Sequence, residues 1–250
     1  MKIARFVAGD EIRYGAVQGE KLQVIHGDPF GFFELSSEFL DLNQVKLLAP
    51  VNPRKVICVG LNFAEHASEI AQAVPDEPLF FFKPSSSIVA DGDAIVLPSQ
   101  SQQVEIEAEL AMVVGKTAKN ISVSQAADHI LGFTIANDVT ARDLQFSDLQ
   151  WARSKAFDSF CPVGPWIETD FEFESARVQS RINGKPVQDE NLSEMIRDPF
   201  ELLAYISQNL TLEPGDLILT GSPSGISKIV SGDQVECEIS GSGVLSSPVS

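Results

Sequence analysis

The sequence predicts a mostly β protein of the α+β class with a few short helices. Three observations carry that expectation. Short runs rich in Val, Ile and Phe recur along the 250 residues, bounded by Gly, Pro, Asn and Asp. Asn183-Gly184 stands between two such runs in "RINGKPV", a strong signal for a type I′ hairpin. Convincing helix start and stop signals are few.

In chain order, residues 1–52 read as a small β-rich N-terminal domain. Within it, "YGAVQGEKLQVIHG" is a hairpin turning at Gly19-Glu20, and the Pro-flanked "LAPVNPRK" joins it to the larger domain, residues 53–250. Strands of the larger domain are expected at 55–60, 79–82, 94–97, 104–114, 131–136, 175–182, 216–220 and 233–239. One helix is expected in "SVSQAADHILG", with Ser caps and a closing Gly. Another lies in "RDPFELLAYISQNL", where Asp198 is the N-cap, Pro199 the first helical residue, and Leu202, Leu203 and Ile206 the inward stripe.

Composition narrows the function. A formal net charge of −17, with nothing basic clustered, argues against a nucleic-acid partner. No apolar run approaches the ~18 residues of a bilayer span, and "MKIARFVAGDEIRYG" lacks the apolar stretch of a signal peptide. Cys58, Cys161 and Cys237 are an odd, scattered set without a CxxC pair. That argues against a disulfide framework or a thiolate zinc site and fits a reducing cytoplasm.

The chemistry gathers in five segments. "VEIEAELAMVVG" puts Glu105, Glu107 and Glu109 on alternate residues, then runs apolar from Leu110 to Val114. On one strand these carboxylates share a face, ~6.5–7 Å apart at the backbone. They are either a solvated face or, at the border of a core, ligands of an oxygen-seeking divalent ion. In "GFTIANDVTARDLQ", Asp138 sits at the end of an apolar run, as a further ligand or as a helix N-cap. His66 and Glu69, three apart in "LNFAEHASEIAQAV", share one helix face, as a surface pair or a working dyad. Lys155 in "WARSKAFDSFCPVGPW" is a snorkelling lysine or an anion holder. "LTGSPSG" is a strand running into a loop whose hydroxyls and N–H groups can grip a carboxylate.

From about Lys55 onward the chain resembles the fumarylacetoacetate hydrolase family. The matching words stand in the family's order: "GLNFAEHASE", "FFKPSSSI", "VEIEAELAMVVGK", "ANDVTARDLQ", "WARSKAFDSFCPVGPW", "INGKPVQD" and "LTLEPGDLILTGSPSG". Residues 1–50 resemble, more weakly, the small N-terminal domain of many bacterial members. The resemblance implies a mixed β-sandwich roll and a Mg²⁺ or Mn²⁺ ion held by Glu107, Glu109 and Asp138, with Glu105 left as a neighbour. It implies a small 2-oxo acid as substrate and an enolate developing beside the cation. By the same resemblance Lys155 is a substrate-site lysine, while Arg142, Gln145 and Thr220 hold the substrate carboxylate. His66, polarised by Glu69, takes a proton from water, in a segment similar to the family's mobile lid.

Members hydrolyse acylpyruvates, decarboxylate or tautomerise oxaloacetate, or isomerise and hydrate dienoic acids. The dyad makes C–C hydrolysis of an acylpyruvate such as acetylpyruvate or fumarylpyruvate the leading expectation. Oxaloacetate decarboxylation or tautomerisation comes next, and 2-hydroxyhepta-2,4-diene-1,7-dioate isomerisation in aromatic catabolism after it. Two positions depart from close acylpyruvase-like members, which tend to have Arg at Leu61 and Tyr at Phe63. A homodimer is the family expectation.

Overall fold

The computed structural model describes residues 1–250. Its frame is a twelve-stranded sheet. The spatial order begins Phe33–Asp41, Lys21–Gly27, Glu11–Gln18 and Lys2–Ala8. It continues through Cys161–Glu168, Ile130–Asn137, Ala108–Val114, Leu217–Leu219 and Val56–Gly60 to Leu79–Lys83. Two short strands, Lys46–Leu48 and Ile88–Val89, pair off this path. A four-stranded sheet (Lys185–Asn191, Arg177–Ile182, Gln234–Ile239, Gly243–Pro248) packs against it. No helix is long and apolar enough to cross a membrane.

Residues 1–50 are not detached from this frame. Lys2–Ala8 pairs with Cys161–Glu168, and the chain-start ammonium meets Glu168 at 2.8 Å. The N-terminal strands bury a small core of their own around Phe6, Leu22 and Val24. Ile3, Ile25 and Val51 instead join the core on one face of the large sheet.

Ala108–Val114 explains its own composition. Leu110, Met112 and Val114 enter the 34-residue core between the two sheets. Ala111 and Val113 face the opposite core with Cys161 and Val163. A strand covered on both faces needs apolar residues at every position, not at alternate ones.

The expected hairpins form. Asn183 and Gly184 have φ of 52° and 75°, the left-handed pair that a type I′ turn requires. The helix Pro199–Asn209 starts as expected, with Asp198 accepting from the N–H groups of Phe200 and Glu201, both at 2.8 Å.

Three expectations need correction, and one strand was not expected. The stretch 104–114 is not one strand: Val104–Ile106 belongs to a three-stranded sheet, Ala108–Val114 to the large one, and Glu107 lies in the break. Residues 94–97 form a single bridge, Ile95 to Val249, instead of a strand. The "SVSQAADHILG" helix is only Val123–Ala126 followed by one 3₁₀ turn. Cys161–Glu168 is a central strand that the sequence conceals, because Pro162 and Pro165 cannot donate to a ladder. The pairing register of the neighbouring strand shifts between Phe133 and Ile135 to accommodate it.

Candidate metal and catalytic centre

The break at Glu107 builds the site. Where the chain leaves one sheet for the other, its N–H groups have no strand partner. The Glu107 N–H donates to Asn137 Oδ1 at 3.0 Å, and the Ala108 N–H to Gln188 Oε1 at 3.0 Å. In return the Asp138 N–H donates to the Glu107 carbonyl at 2.8 Å. Two chain segments are thus locked together where Glu107, Glu109 and Asp138 point inward. One carboxylate oxygen from each lies within 4.8 Å of the others, and all three residues are buried.

Glu105 does not share their surroundings. Its carboxylate accepts from Arg142 Nε at 2.7 Å and from Gln103 Nε2 at 2.6 Å. Asp138 caps no helix; the short helix begins at Arg142, and the position before it is Ala141.

Three buried cations neutralise the carboxylates. Lys155 Nζ donates to Glu107 Oε2 at 2.9 Å and to Asp138 Oδ2 at 2.6 Å. It also lies 5.0 Å from the Phe81 ring centroid. Lys83 pairs with the other oxygen of Asp138, and Arg142 with the other oxygen of Glu107. Glu109 has no ion pair; its Oε2 accepts from the Gly221 N–H at 2.6 Å.

The protonation states follow from these partners. Burial pushes Glu107 up, but the Lys155 ammonium and then the Arg142 guanidinium outweigh it and hold the carboxyl well below the usual carboxylate range. Burial, then the negative charges of Asp138 and Glu107, push Glu109 well above that range. Burial lowers Lys155, yet Asp138 and Glu107 more than offset it and keep it an ammonium.

Four carboxyl groups therefore face three cations, and the one left without a cation is Glu109, the one whose burial favours its neutral form. An all-oxygen set in which one carboxyl still lacks a counter-charge fits a hard divalent ion. Each carboxylate oxygen keeps a second lone pair for it.

The other sequence-chosen residues distribute unevenly. His66 is buried on the helix Ala64–Glu69, its Nδ1 3.3 Å from Glu69 Oε2, and it lines the same narrow cavity as Glu107, Glu109 and Asp138. Arg142, Gln145 and Lys155 line that cavity too, but Arg142 is already engaged by Glu105, Glu107 and Gln145. Thr220 does not line it; its hydroxyl donates to the Leu110 carbonyl at 2.9 Å. Apolar walls come from Val59, Leu61, Ile70, Phe81 and Trp151.

Two residues escaped the sequence reading. Lys83 ends the run "LFFFK", and a lysine closing an apolar strand was the available signal. Gln188 is a polar side chain on a hairpin, and nothing local announces its burial.

Two family models match the chain. Residues 55–250 match the fumarylacetoacetate (FAA) hydrolase C-terminal model, and residues 1–50 the Rv2993c-like N-terminal model. The human mitochondrial oxaloacetate tautomerase FAHD2A is 43% identical over 219 residues, 82% of this chain and 70% of that protein. A 2-hydroxyhepta-2,4-diene-1,7-dioate isomerase structure from Mycobacterium marinum superimposes with a TM-score of 0.93, at 40% identity, over 100% of this chain and 98% of that one. A maleylpyruvate hydrolase from Sphingobium sp. SYK-6, in complex with manganese(II) and pyruvate, aligns at 0.82 and 28% identity, over 100% and 98% of the two chains. With residues 55–250 matched by the family model and a buried acidic triad in place, the chain belongs to the fumarylacetoacetate hydrolase family.

Proposed function

We propose that this protein is a divalent-metal-dependent enzyme that moves a proton at the carbon beside the keto group of a small 2-oxo acid, with oxaloacetate keto–enol interconversion as its reaction. The observation that carries the reading is the placement of His66, paired with Glu69 behind it, on the wall of the cavity that Glu107, Glu109, Asp138 and Lys155 also line. The narrowness of that cavity and the 43% identity to an oxaloacetate tautomerase favour a short acid.

Glu107, Glu109 and Asp138 would hold Mg²⁺ or Mn²⁺. When bound, the ion supplies Lewis-acid polarisation of the substrate's oxygens. With Glu109 ionised beside it, the four carboxylates, three cations and the ion would sum to one positive charge, which suits an anionic substrate. Lys155 presents a fixed ammonium to the negative charge that develops when the proton leaves. Glu69, accepting from Nδ1–H, leaves the far nitrogen of His66 free to take and return that proton. The apolar walls keep water away from it.

A second reading, C–C hydrolysis of an acylpyruvate, is favoured by the same dyad, because a base that takes a carbon-bound proton can also activate water. The two separate in one experiment. EDTA-stripped protein, reloaded with Mg²⁺ or Mn²⁺, is assayed on enol-oxaloacetate, oxaloacetate, acetylpyruvate and fumarylpyruvate. Metal-dependent ketonisation of the enol, lost in His66→Ala, is the expected result. Cleavage of acetylpyruvate with no effect on the enol would replace the first reading by the second. Full turnover of either kind without metal would overturn both.

A further inference from the structure

The loop 220–225 touches both halves of the proposed machinery. The Gly221 N–H holds Glu109 at 2.6 Å. The Gly225 N–H donates to Glu69 Oε1 at 3.0 Å, on the carboxylate that meets His66. Asn62 Nδ2 donates to the Thr220 carbonyl at 2.7 Å.

One buried side chain anchors this loop. Gln188, on the strand Lys185–Asn191, is 1% exposed and spends its whole amide. Its Nε2 donates to Ser222 Oγ at 2.7 Å and to the Pro223 carbonyl at 2.9 Å. Its Oε1 accepts from Ser180 Oγ at 2.8 Å and from the Ala108 N–H at 3.0 Å, between Glu107 and Glu109.

The loop has no slack against this strand. A Cβ at Gly225, where φ is +95°, would lie 2.0 Å from the Val187 carbonyl oxygen. At Gly221, where φ is +101°, it would lie 2.7 Å from Asn62 Cβ. Only glycine adopts these conformations against so close a neighbour.

We propose that Gln188 is a positioning residue: one amide clamps the loop 220–225 to the Glu107/Ala108 break and so sets Glu109 and the His66–Glu69 pair in register. This rests on the proposed function for its consequence, but the clamp itself is testable without turnover. A fully satisfied buried amide bridging two segments holds both, because removing it orphans donors and acceptors on each side.

The test is Gln188→Met, which keeps length and volume, with Gln188→Glu as a partner that keeps the Oε1 acceptor and removes the Nε2 donors. Mn²⁺ affinity is read from the free-ion electron paramagnetic resonance signal, and amide exchange is read across the chain. Gln188→Met should weaken Mn²⁺ binding by ~10- to 100-fold, the usual effect of losing a partner behind a metal ligand. It should also speed exchange selectively at Gly221 and Gly225. Gln188→Glu should loosen the loop while losing less Mn²⁺ affinity than Gln188→Met.

Turnover adds a split: at saturating metal, Gln188→Met should lower kcat and leave KM nearly unchanged, because it displaces the His66–Glu69 pair and not a substrate contact. Unchanged Mn²⁺ affinity and unchanged loop exchange in both variants would overturn the proposal. So would uniformly faster exchange across the molecule, the mark of a merely structural amide. A wild type that binds Mn²⁺ and protects the loop but turns over no 2-oxo acid would instead count against the proposed function, leaving the clamp standing.

Discussion

Arg13 and Lys155 both make two short bonds to carboxylate, in opposite surroundings. Arg13 grips Glu38 across the N-terminal sheet at 2.8 and 2.6 Å, in water. Lys155 grips Glu107 and Asp138 with almost no solvent contact. The exposed pair is screened and entropically costly to hold, so it contributes little. The buried pair has lost its hydration, and each charge now depends on the others. A fold seeking only stability would fill that space with apolar side chains, as the cores on both faces of the large sheet do. Charge buried at a chain break marks a place kept for chemistry.

Four experiments probe this contrast, the largest effect first. Asp138→Ala leaves Lys83 and Lys155 facing each other without their shared carboxylate. Breaking a buried pair in this way costs about 3–5 kcal/mol of stability, and the metal-dependent activity should vanish with it. Denaturant unfolding and turnover are the measurements. A variant as stable as wild type would mean the cluster is wetter than its burial implies.

Lys155→Ala sharpens the functional half of the comparison. Its ammonium matters most once substrate charge develops, so kcat/KM should fall at least ~100-fold, about 2.7 kcal/mol. Mn²⁺ affinity should hold or tighten, because a competing cation has left Glu107 and Asp138. Near-normal kcat/KM would reduce Lys155 to a structural counter-charge.

The third is a pH dependence. Glu109 is held above its unfolded value, so the metal-free fold keeps its stability below ~4.3, the ordinary glutamate value, and loses it as pH rises towards the raised folded value. Glu107 is shifted the other way; its contribution is present above the ordinary value and is lost only as pH falls through its depressed one. Between pH 5 and 8 the Glu109 effect therefore dominates. Metal binding needs Glu109 ionised, so the gap in Tm between Mg²⁺-loaded and EDTA-stripped protein should widen with pH. Glu109→Gln should flatten the stripped profile and close the gap. A gap independent of pH would remove Glu109 from the ligand set.

The smallest effect is expected at the surface. Arg13→Ala breaks two short bonds and should leave both Tm and turnover within error of wild type. A clear loss would mean that the N-terminal sheet supports the site through its pairing of Lys2–Ala8 with Cys161–Glu168.

The candidate site was legible to different depths. Glu105, Glu107 and Glu109 stood out because like charges entering an apolar run demand a counter-charge, and that demand is local; the choice of Glu107, Glu109 and Asp138 as the set came from the resemblance to the family. His66 and Glu69 could be paired because helical spacing is local too. Gln188 and the Gly221 N–H were not legible, since each reaches the site from a segment distant in sequence, and Lys83 showed only as a lysine closing an apolar strand. Arg142 was expected at the substrate carboxylate; its ion pairs with Glu105 and Glu107 join segments that no single stretch of sequence brings together.

By itself the sequence determined the β-rich class, the Asn183-Gly184 turn and the Asp198-capped helix. These depend on local dihedral preference and on neighbours a few residues away. Only the tertiary structure decided that residues 104–114 break at Glu107, that Pro-bearing Cys161–Glu168 is a central strand, and that three cations rather than one meet the acidic triad. Each of those outcomes is set by which distant backbone and side-chain groups satisfy one another's hydrogen bonds and charge. That pairing is a property of the packed fold, and no single stretch of chain contains it.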